Sequence, residues 1–239
     1  MKTSLYFAAA VAFALSSCRG NKSNNYVYDH IDSIYTAHKK ELSQTKDNLQ
    51  ESRNQLPELR VAEKELASKL EFRKDERYET EGFYYAPKQT IENTPVHSFM
   101  AQVGERGTLI ASAILPLGAK PSAIQLLTAN GNKYECDLEY SDFRTVFNKQ
   151  VMGFSSKSSY ELLQFISANQ GQPIKMIIDG NASSLIPQSS VSSLIKVYAL
   201  YDAMKKRQDK ELIINNDSLH IEFMNRKLKE EEEILNSKR

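Results

Sequence analysis

The sequence predicts an α+β protein, in which a small, mostly antiparallel β domain is inserted between two long helices that form a coiled-coil stalk. Residues 27–75 contain no glycine and carry apolar residues at heptad spacing, which is typical of a coiled-coil helix. Between residues 78 and 188, aromatic and β-branched residues, glycine and proline appear together, as expected of short strands and turns. A second seven-residue apolar repeat lies within residues 189–239. The β domain is expected to be sandwich-like, with one short helix.

Composition excludes several functional classes. The 239 residues include 31 basic and 30 acidic ones, a net charge of +1, so nucleic acid is not an expected partner. There are only four histidines and two cysteines, which leaves few residues for metal or thiol chemistry. The sequence contains no P-loop, dinucleotide-binding, zinc-protease or C-x-x-C motif. We therefore expect no metal, no cofactor and no catalytic residues, and predict that the protein is not an enzyme.

The amino terminus has the layout of a secretory signal. Lys2 is followed by an uncharged, apolar run from Leu5 to Leu15, shorter than the roughly 20 residues needed to cross a bilayer. The next residues, Leu15-Ser16-Ser17-Cys18, resemble the lipobox of bacterial lipoproteins. That resemblance implies a signal peptide over residues 1–17, acylation of Cys18 with palmitate-type chains, and a lipidated tether over residues 18–26.

An ordinary secreted protein is the alternative, because Ala12-Phe13-Ala14 also fits an A-x-A cleavage site. In that case Cys18 and Cys136 would both be thiols in an oxidising compartment, where they can pair. We favour the lipoprotein, in which Cys136 has no partner. Arg19 follows Cys18, so neither the aspartate typical of inner-membrane retention nor an acidic surface-export cluster is present. The resemblance therefore implies the outer membrane, with the chain facing the periplasm.

The first helix is predicted over residues 27–77. Its heptad leucines are Leu42, Leu49 and Leu56. Three successive d positions are polar, namely His38, Thr45 and Ser52. Such a seam suits packing against another helix of the same chain better than a symmetric dimer, although self-association through the coiled coil stays open. Pro57 lacks an N–H and is expected to kink or restart the helix near Leu56.

The β domain is predicted over residues 78–188. Its clearest element is a hairpin over residues 123–140 with a turn at Asn130-Gly131. Cys136 lies on the apolar side of the returning strand, and we interpret it as a buried, unreactive residue. Further strands are predicted at 97–103, 108–115, 144–154 and 174–178. A short helix is predicted to begin at the caps Ser158-Ser159 and to end near residues 169–171.

The C-terminal segment, residues 189–239, is predicted to form a helix that packs on the stalk. Ser189-Ser190 can cap it, and Ile214, Ile221, Leu228 and Leu235 recur every seven residues. Asn215-Asn216-Asp217 interrupts the pattern, so residues 211–223 fit either a helix or a hairpin, and we favour the helix. Two helices of about fifty residues would form an antiparallel stalk of about 70 Å at 1.5 Å per residue.

The function expected from these features is that of a lipid-anchored envelope lipoprotein of structural or interaction type. Its partners would be the membrane, through the N-terminal lipid, and an envelope protein or cell-wall component bound by the β domain. The dense aromatic run Phe83-Tyr84-Tyr85 is a candidate contact for that partner or for a ligand, the other interpretation being packing at the domain entry. A periplasmic or surface module that binds glycan or lipid is the alternative function.

Overall fold

The computed structural model describes residues 21–74, 81–139, 141–180 and 182–237. The predicted signal peptide, the lipobox-like residues 15–18 and the predicted acylation site Cys18 lie outside these residues. Among the described residues the chain is α+β, as predicted, with three helices and ten strands in two antiparallel sheets. The chain forms two compact units: a smaller one containing the described residues 21–54 and 211–237, and a larger one, Gln55–Lys210.

The helices are α1 (Asn21–Ala67), α2 (Ser156–Ala168) and α3 (Gln188–Asn236). α1 ends before the predicted residue 77, because residues 71–74 find a strand partner and leave the helix. Pro57 was expected to kink or restart the helix near Leu56; the helix does not restart, since α1 continues through this residue. A proline inside a helix lowers the stability of the helix by roughly 3 kcal/mol. The nearby residues Leu56 and Leu59 are partly buried, and this packing offsets part of that cost. α3 runs unbroken through residues 215–217, so the helical interpretation is correct.

Six strands form the first sheet, in the order β1-β2-β3-β4-β8-β7, and four form the second, in the order β10-β9-β5-β6. All the pairs are antiparallel. The strands are β1 (Glu71–Lys74), β2 (Gly82–Tyr85), β3 (Ser98–Gly104), β4 (Leu109–Pro116), β5 (Ile124–Thr128), β6 (Lys133–Glu135), β7 (Asp142–Val146), β8 (Lys149–Gly153), β9 (Ile174–Ile178) and β10 (Ala182–Leu185).

The strand predicted over residues 144–154 is wrong, because these residues form a hairpin of two strands, β7 and β8. The chain reverses at Phe147 and Asn148, whose φ angles are 49° and 56°. Two consecutive positive φ angles are those of a tight hairpin turn. Phenylalanine is uncommon at such a position, which explains why the sequence pattern concealed the turn.

The hairpin predicted around Asn130-Gly131 is confirmed, with β5 and β6 paired and Gly131 at a φ of 84°. Its returning strand is shorter than predicted and ends at Glu135. Beyond it, the Cys136 N–H donates to the Ile124 carbonyl at 2.8 Å. The Cys136 side chain is only 5% exposed, as its position on the apolar side indicated.

The short helix α2 has a different cap from the one predicted. Ser155 is the N-cap, and its Oγ accepts a hydrogen bond from the Ser158 N–H at 3.2 Å. Ser158 and Ser159 are instead buried in the first turn. Ser159 Oγ accepts from the Ala111 N–H of β4 at 2.9 Å, so the second serine ties the helix to the first sheet. α2 ends at Ala168 with Asn169 as its C-cap, close to the predicted end at residues 169–171.

The larger unit has one main hydrophobic core. It is formed by one face of the first sheet, by the second sheet, by α2 and by the first half of α3. Alternate residues of a strand point to opposite faces, so the other face of the first sheet, here called the outer face, carries different side chains. A second, smaller apolar cluster lies there, formed by Met100, Ile114 and Val151 with Tyr85, Ile91 and Val146.

In the smaller unit, α1 and α3 run antiparallel. His38 contacts Glu231, whereas Glu41, further along α1, contacts His220, earlier on α3. The buried residues between the helices are Leu42, Leu49, Ser52, Met224 and Glu231. The polar d positions His38 and Ser52 therefore lie in the helix–helix interface, as the heptad pattern indicated.

Candidate functional site

A groove of about 350 Å³ lies on the outer face of the first sheet. Its floor is apolar and comes from alternate positions of three neighbouring strands: Met100 of β3, Ile110 of β4 and Val151 of β8. Val146 of β7 and Ile91 of the loop 86–97 pack against this floor. The loop forms one wall of the groove, and the β7–β8 turn forms another.

The loop wall is fastened by one side chain, Lys149 of β8. Its Nζ donates to the carbonyl oxygens of Ile91, Glu92 and Thr94 at 3.0, 2.6 and 2.8 Å. An ammonium group has three N–H donors, so all three are used on the loop backbone. The wall beside the groove is therefore held in place by the adjoining strand.

Arg73 of β1 lines the groove, but its charge is already compensated. Its guanidinium lies over the Tyr85 ring at 4.7 Å and donates to Glu71 Oε2 at 2.6 Å and to the Gln89 carbonyl at 2.8 Å. The hydrogen bond from Arg73, with a second from the Lys88 N–H, holds the pKa of the Glu71 carboxyl below its usual range. Arg73 thus serves mainly to join β1, Tyr85 and the loop.

Arg144 of β7 is arranged differently. Its Nε donates to Asp142 Oδ2 at 2.9 Å, and its side chain is 74% exposed. Within the described residues, no hydrogen bond is assigned to its Nη1 or Nη2. Asp142 has room beside β8 because Gly153 faces it in the register: a Cβ at Gly153 would lie 2.2 Å from Asp142 Oδ1. The site thus holds an oriented guanidinium whose terminal N–H groups face solvent.

β7 is also the edge strand of the first sheet on this side among the described residues. Two aromatic side chains at this edge are exposed, Phe143 at 37% and Phe147 at 62%. The backbone N–H and C=O groups that point away from the sheet, along its free edge, have no strand partner, so an extended chain can pair with them. Groove and edge adjoin, since Arg144, Val146 and Phe147 belong to the groove lining.

The aromatic run nominated from the sequence does not form one patch, because a strand turns alternate residues to opposite faces. Tyr85 lines the groove, and Phe83 is placed on the same face opposite Arg73. Tyr84 points to the other face, where it packs against the main core and contacts Phe72 at 4.9 Å between ring centroids. Neither groove arginine was predicted from the sequence; the alternation Asp142-x-Arg144 on a strand was the available signal for one of them.

Cys136 and Tyr134, the buried titratable groups near β6, have no features of a reactive site. Burial raises the pKa of the Cys136 thiol to about 12 and also raises the pKa of Tyr134. The Tyr134 ring stacks on Phe165 at 5.5 Å, and among the described residues its hydroxyl has no hydrogen-bond partner. A thiol that keeps its proton is a poor nucleophile, so this pair belongs to the core.

The part of the chain that the structure describes lacks two further features, a metal-binding cluster and a membrane-spanning helix. It contains no group of three or more His, Cys, Asp or Glu side chains placed to hold a metal ion. None of its helices has the length and apolarity needed to cross a membrane. No protein-family model, no curated protein and no solved structure matches the chain.

Proposed function

We propose that the chain is a lipid-anchored protein of the bacterial envelope, and that its larger unit binds an extended segment of a partner protein along β7 and the outer-face groove. Acylated Cys18 would attach it to the outer membrane, facing the periplasm. α1 and α3 would serve as the helical stalk; their antiparallel pairing within the smaller unit supports this. The lipobox resemblance Leu15-Ser16-Ser17-Cys18 supports the anchor.

The observation that carries the binding proposal is the outer-face groove. The outward face of an antiparallel sheet is commonly polar and solvated, yet here Met100, Ile110 and Val151 form an apolar floor. A concave apolar surface with a few polar groups is the usual form of a binding site. Those polar groups include the side chains of Thr90, Gln102 and Ser112.

An extended peptide is the occupant that the surroundings favour. A segment that pairs with the free edge of β7 gains main-chain hydrogen bonds, and every second side chain then lies on the outer face beside Arg144 and Val146. The exposed rings of Phe143 and Phe147 add apolar contact area at the same edge. Main-chain pairing supplies affinity, and the groove selects the side chains.

Site-specific photo-cross-linking in intact cells tests the partner. A benzophenone amino acid is placed at Phe147, beside the groove, and in a matched control at Leu185 of the second sheet, which is 59% exposed. We expect a discrete, protease-sensitive product of higher mass from position 147 and none from position 185. No product from position 147, or the same products from both positions, would contradict the proposal.

Membrane fractionation tests the anchor separately. The Cys18→Ser variant should leave the membrane fraction and lose metabolic labelling by an alkynyl palmitate, whereas Cys136→Ser should keep both. Continued membrane association of Cys18→Ser would disprove the lipid anchor while leaving the groove proposal intact.

A lipid-binding module is the second candidate function, because an apolar floor below a guanidinium also suits an acyl chain with an anionic head group. This candidate predicts a different product from position 147. The cross-linked species would have nearly the mass of the protein itself and would carry a labelled lipid. Protease digestion of it would release no peptide from a second protein.

A further inference from the structure

We infer that the partner segment carries a carboxylate side chain that binds Arg144, with an apolar side chain two residues away over Val146 and Phe147. This inference rests on the proposed function and specifies the chemistry of the partner. The observations behind it are the register of β7 and β8, the hydrogen bond between Arg144 and Asp142, and the exposed edge of β7.

Strand geometry fixes which side chains meet. Asp142, Arg144 and Val146 are alternate residues and lie on the outer face, opposite Gly153, Val151 and Lys149 of β8. A strand added on the free side of β7 lies about 4.8 Å away, with directly opposed side chains about 5 Å apart. Three alternate residues of the added strand therefore meet Asp142, Arg144 and Val146 in turn.

The charge pattern of β7 then selects the residue types. Among the described residues, the hydrogen-bond donor to Asp142 is Nε of Arg144, which leaves the two terminal nitrogens to form the paired N–H···O bonds that a carboxylate accepts. The same Asp142 repels an acidic residue placed opposite itself, because like charges directly across a sheet are destabilising. An acidic side chain is therefore favoured at one position of the register, opposite Arg144, and disfavoured at the position two residues away.

The third position is apolar. Val146 packs in the outer-face cluster with Met100 and Val151, and Phe147 is exposed next to it. A leucine, isoleucine or valine opposite Val146 would bury its side chain against this surface. The expected partner motif is thus an acidic residue and a branched apolar residue separated by one residue, in an extended segment.

Two other cations at the groove, Arg73 in its lining and Lys149 at its wall, are committed to the fold. Arg73 is paired with Glu71 and the Gln89 carbonyl, and Lys149 donates to three carbonyl oxygens. Arg144 is thus the groove cation that can form new hydrogen bonds without breaking those that hold the wall. Its substitution is expected to change binding and leave the wall intact.

The first test is the cross-link from position 147 in Arg144 variants. Arg144→Gln should reduce the product about tenfold, which corresponds to about 1.4 kcal/mol, and Arg144→Glu should abolish it. Arg226→Gln, a substitution of an exposed arginine of α3, should leave the yield unchanged. Circular dichroism verifies the fold of each variant. An undiminished product in both Arg144 variants overturns this inference while the proposed function stands; no product from the wild-type chain overturns both.

The second test uses the lipidated full chain in detergent and two fluorescent, capped hexapeptides. Both consist of alternating threonine and valine, except that one central valine is replaced by glutamate in one peptide and by glutamine in the other. A valine therefore remains two residues from the replaced position, on the same face of the strand. By fluorescence anisotropy, the glutamate peptide should bind about tenfold tighter, and Arg144→Gln should remove that preference. Equal affinity for the two peptides, or no binding of either at millimolar concentration, would overturn the inference.

Discussion

Nδ1 of His38 lies 2.8 Å from Oε1 of Glu231, so a polar seam position of α1 is joined to a carboxylate of α3 that is only 9% exposed. On the other side of the ring, Lys227 Nζ lies 3.3 Å from Nε2. An ammonium can only donate, so Nε2 accepts from Lys227, and Nδ1 carries the proton donated to Glu231. A histidine in the seam is thus satisfied by one residue on each side.

Replacing His38 with leucine should destabilise the smaller unit. Glu231 would lose its partner at Oε1, while its Oε2 already has no hydrogen-bond partner among the described residues. Leaving a buried polar group unpaired lowers the free energy of unfolding by about 2 kcal/mol. Urea denaturation at pH 7 measures this, with His30→Leu at an exposed position of α1 as the control. The double variant His38→Leu/Glu231→Leu should recover part of the loss; equal stability of single and double variants would contradict this account.

Replacing Lys149 with methionine should open the loop wall of the groove. The variant loses three hydrogen bonds to the carbonyls of Ile91, Glu92 and Thr94. The free energy of unfolding should fall by about 2 kcal/mol, and the backbone amides of residues 88–94 should exchange faster. Lys175→Met, at an exposed position of β9, should change stability by less than about 0.5 kcal/mol. Unchanged amide exchange in Lys149→Met would show that the ammonium does not hold the loop.

Thiol counting separates the two interpretations of the amino terminus. In the lipidated protein Cys136 is the single thiol, and because it is 5% exposed it should not react with Ellman's reagent until guanidinium unfolds the chain. One thiol should then be measured. Two thiols after unfolding would mean that Cys18 is not acylated, and none would mean a disulfide between Cys18 and Cys136.

Stability should fall at alkaline pH through Cys136. Burial raises the pKa of this thiol from 9.0 to about 12, so the unfolded chain loses the proton first. The stabilisation by the protonated thiol is complete below pH 9 and is lost as pH rises towards 12. The stability difference between wild type and Cys136→Ala should therefore shift by about 2 kcal/mol, against the wild type, from pH 8 to pH 10.5. Denaturation at the two pH values measures it, and an unchanged difference would contradict the prediction.

Replacing Gly153 with alanine should displace Asp142 and release the Nε of Arg144. The added Cβ would lie 2.2 Å from Asp142 Oδ1, and this side chain is exposed enough to rotate away. The stability loss should therefore stay below about 1 kcal/mol, while the glutamate hexapeptide binds several-fold more weakly. Asp142→Asn, which retains a hydrogen-bond acceptor for Arg144, serves as the comparison. If Gly153→Ala binds the glutamate hexapeptide as tightly as the wild type does, Asp142 does not position Arg144.

The elements that the sequence predicted best depend on local patterns. Asn130-Gly131 supplies the positive φ of a tight turn, and the seven-residue repeat of Leu42 and Leu49 marks a buried helix face. The end of α1 was harder, because the seven-residue spacing of Leu42, Leu49 and Leu56 extends to Leu70, beyond the last residue of α1. Its true end depends on the pairing of residues 71–74 with β2, which is a contact between separate parts of the chain.

The groove could not be predicted from local sequence patterns either, because it too depends on contacts between separate parts of the chain. Period-two alternation indicates that Met100 and Val151 each face one side of a strand, but not that β4 lies between their strands. Likewise, the spacing of Phe83, Tyr84 and Tyr85 suggested a single patch, although two of them face away from the third. The site follows from which strands become neighbours, and those pairings join residues far apart in sequence.

The bonds from Lys149 to the loop wall have a consequence for how this site can diverge. They reach carbonyl oxygens, which every amino acid carries, and not the side chains of the residues that they fix. Glu92 and Asn93 are exposed, so they can be exchanged for other residues while the lysine keeps the backbone in place. A related chain that keeps a lysine at this position can therefore change the side chains of the loop wall. Its groove could then bind a different partner while the backbone of the wall stays as it is.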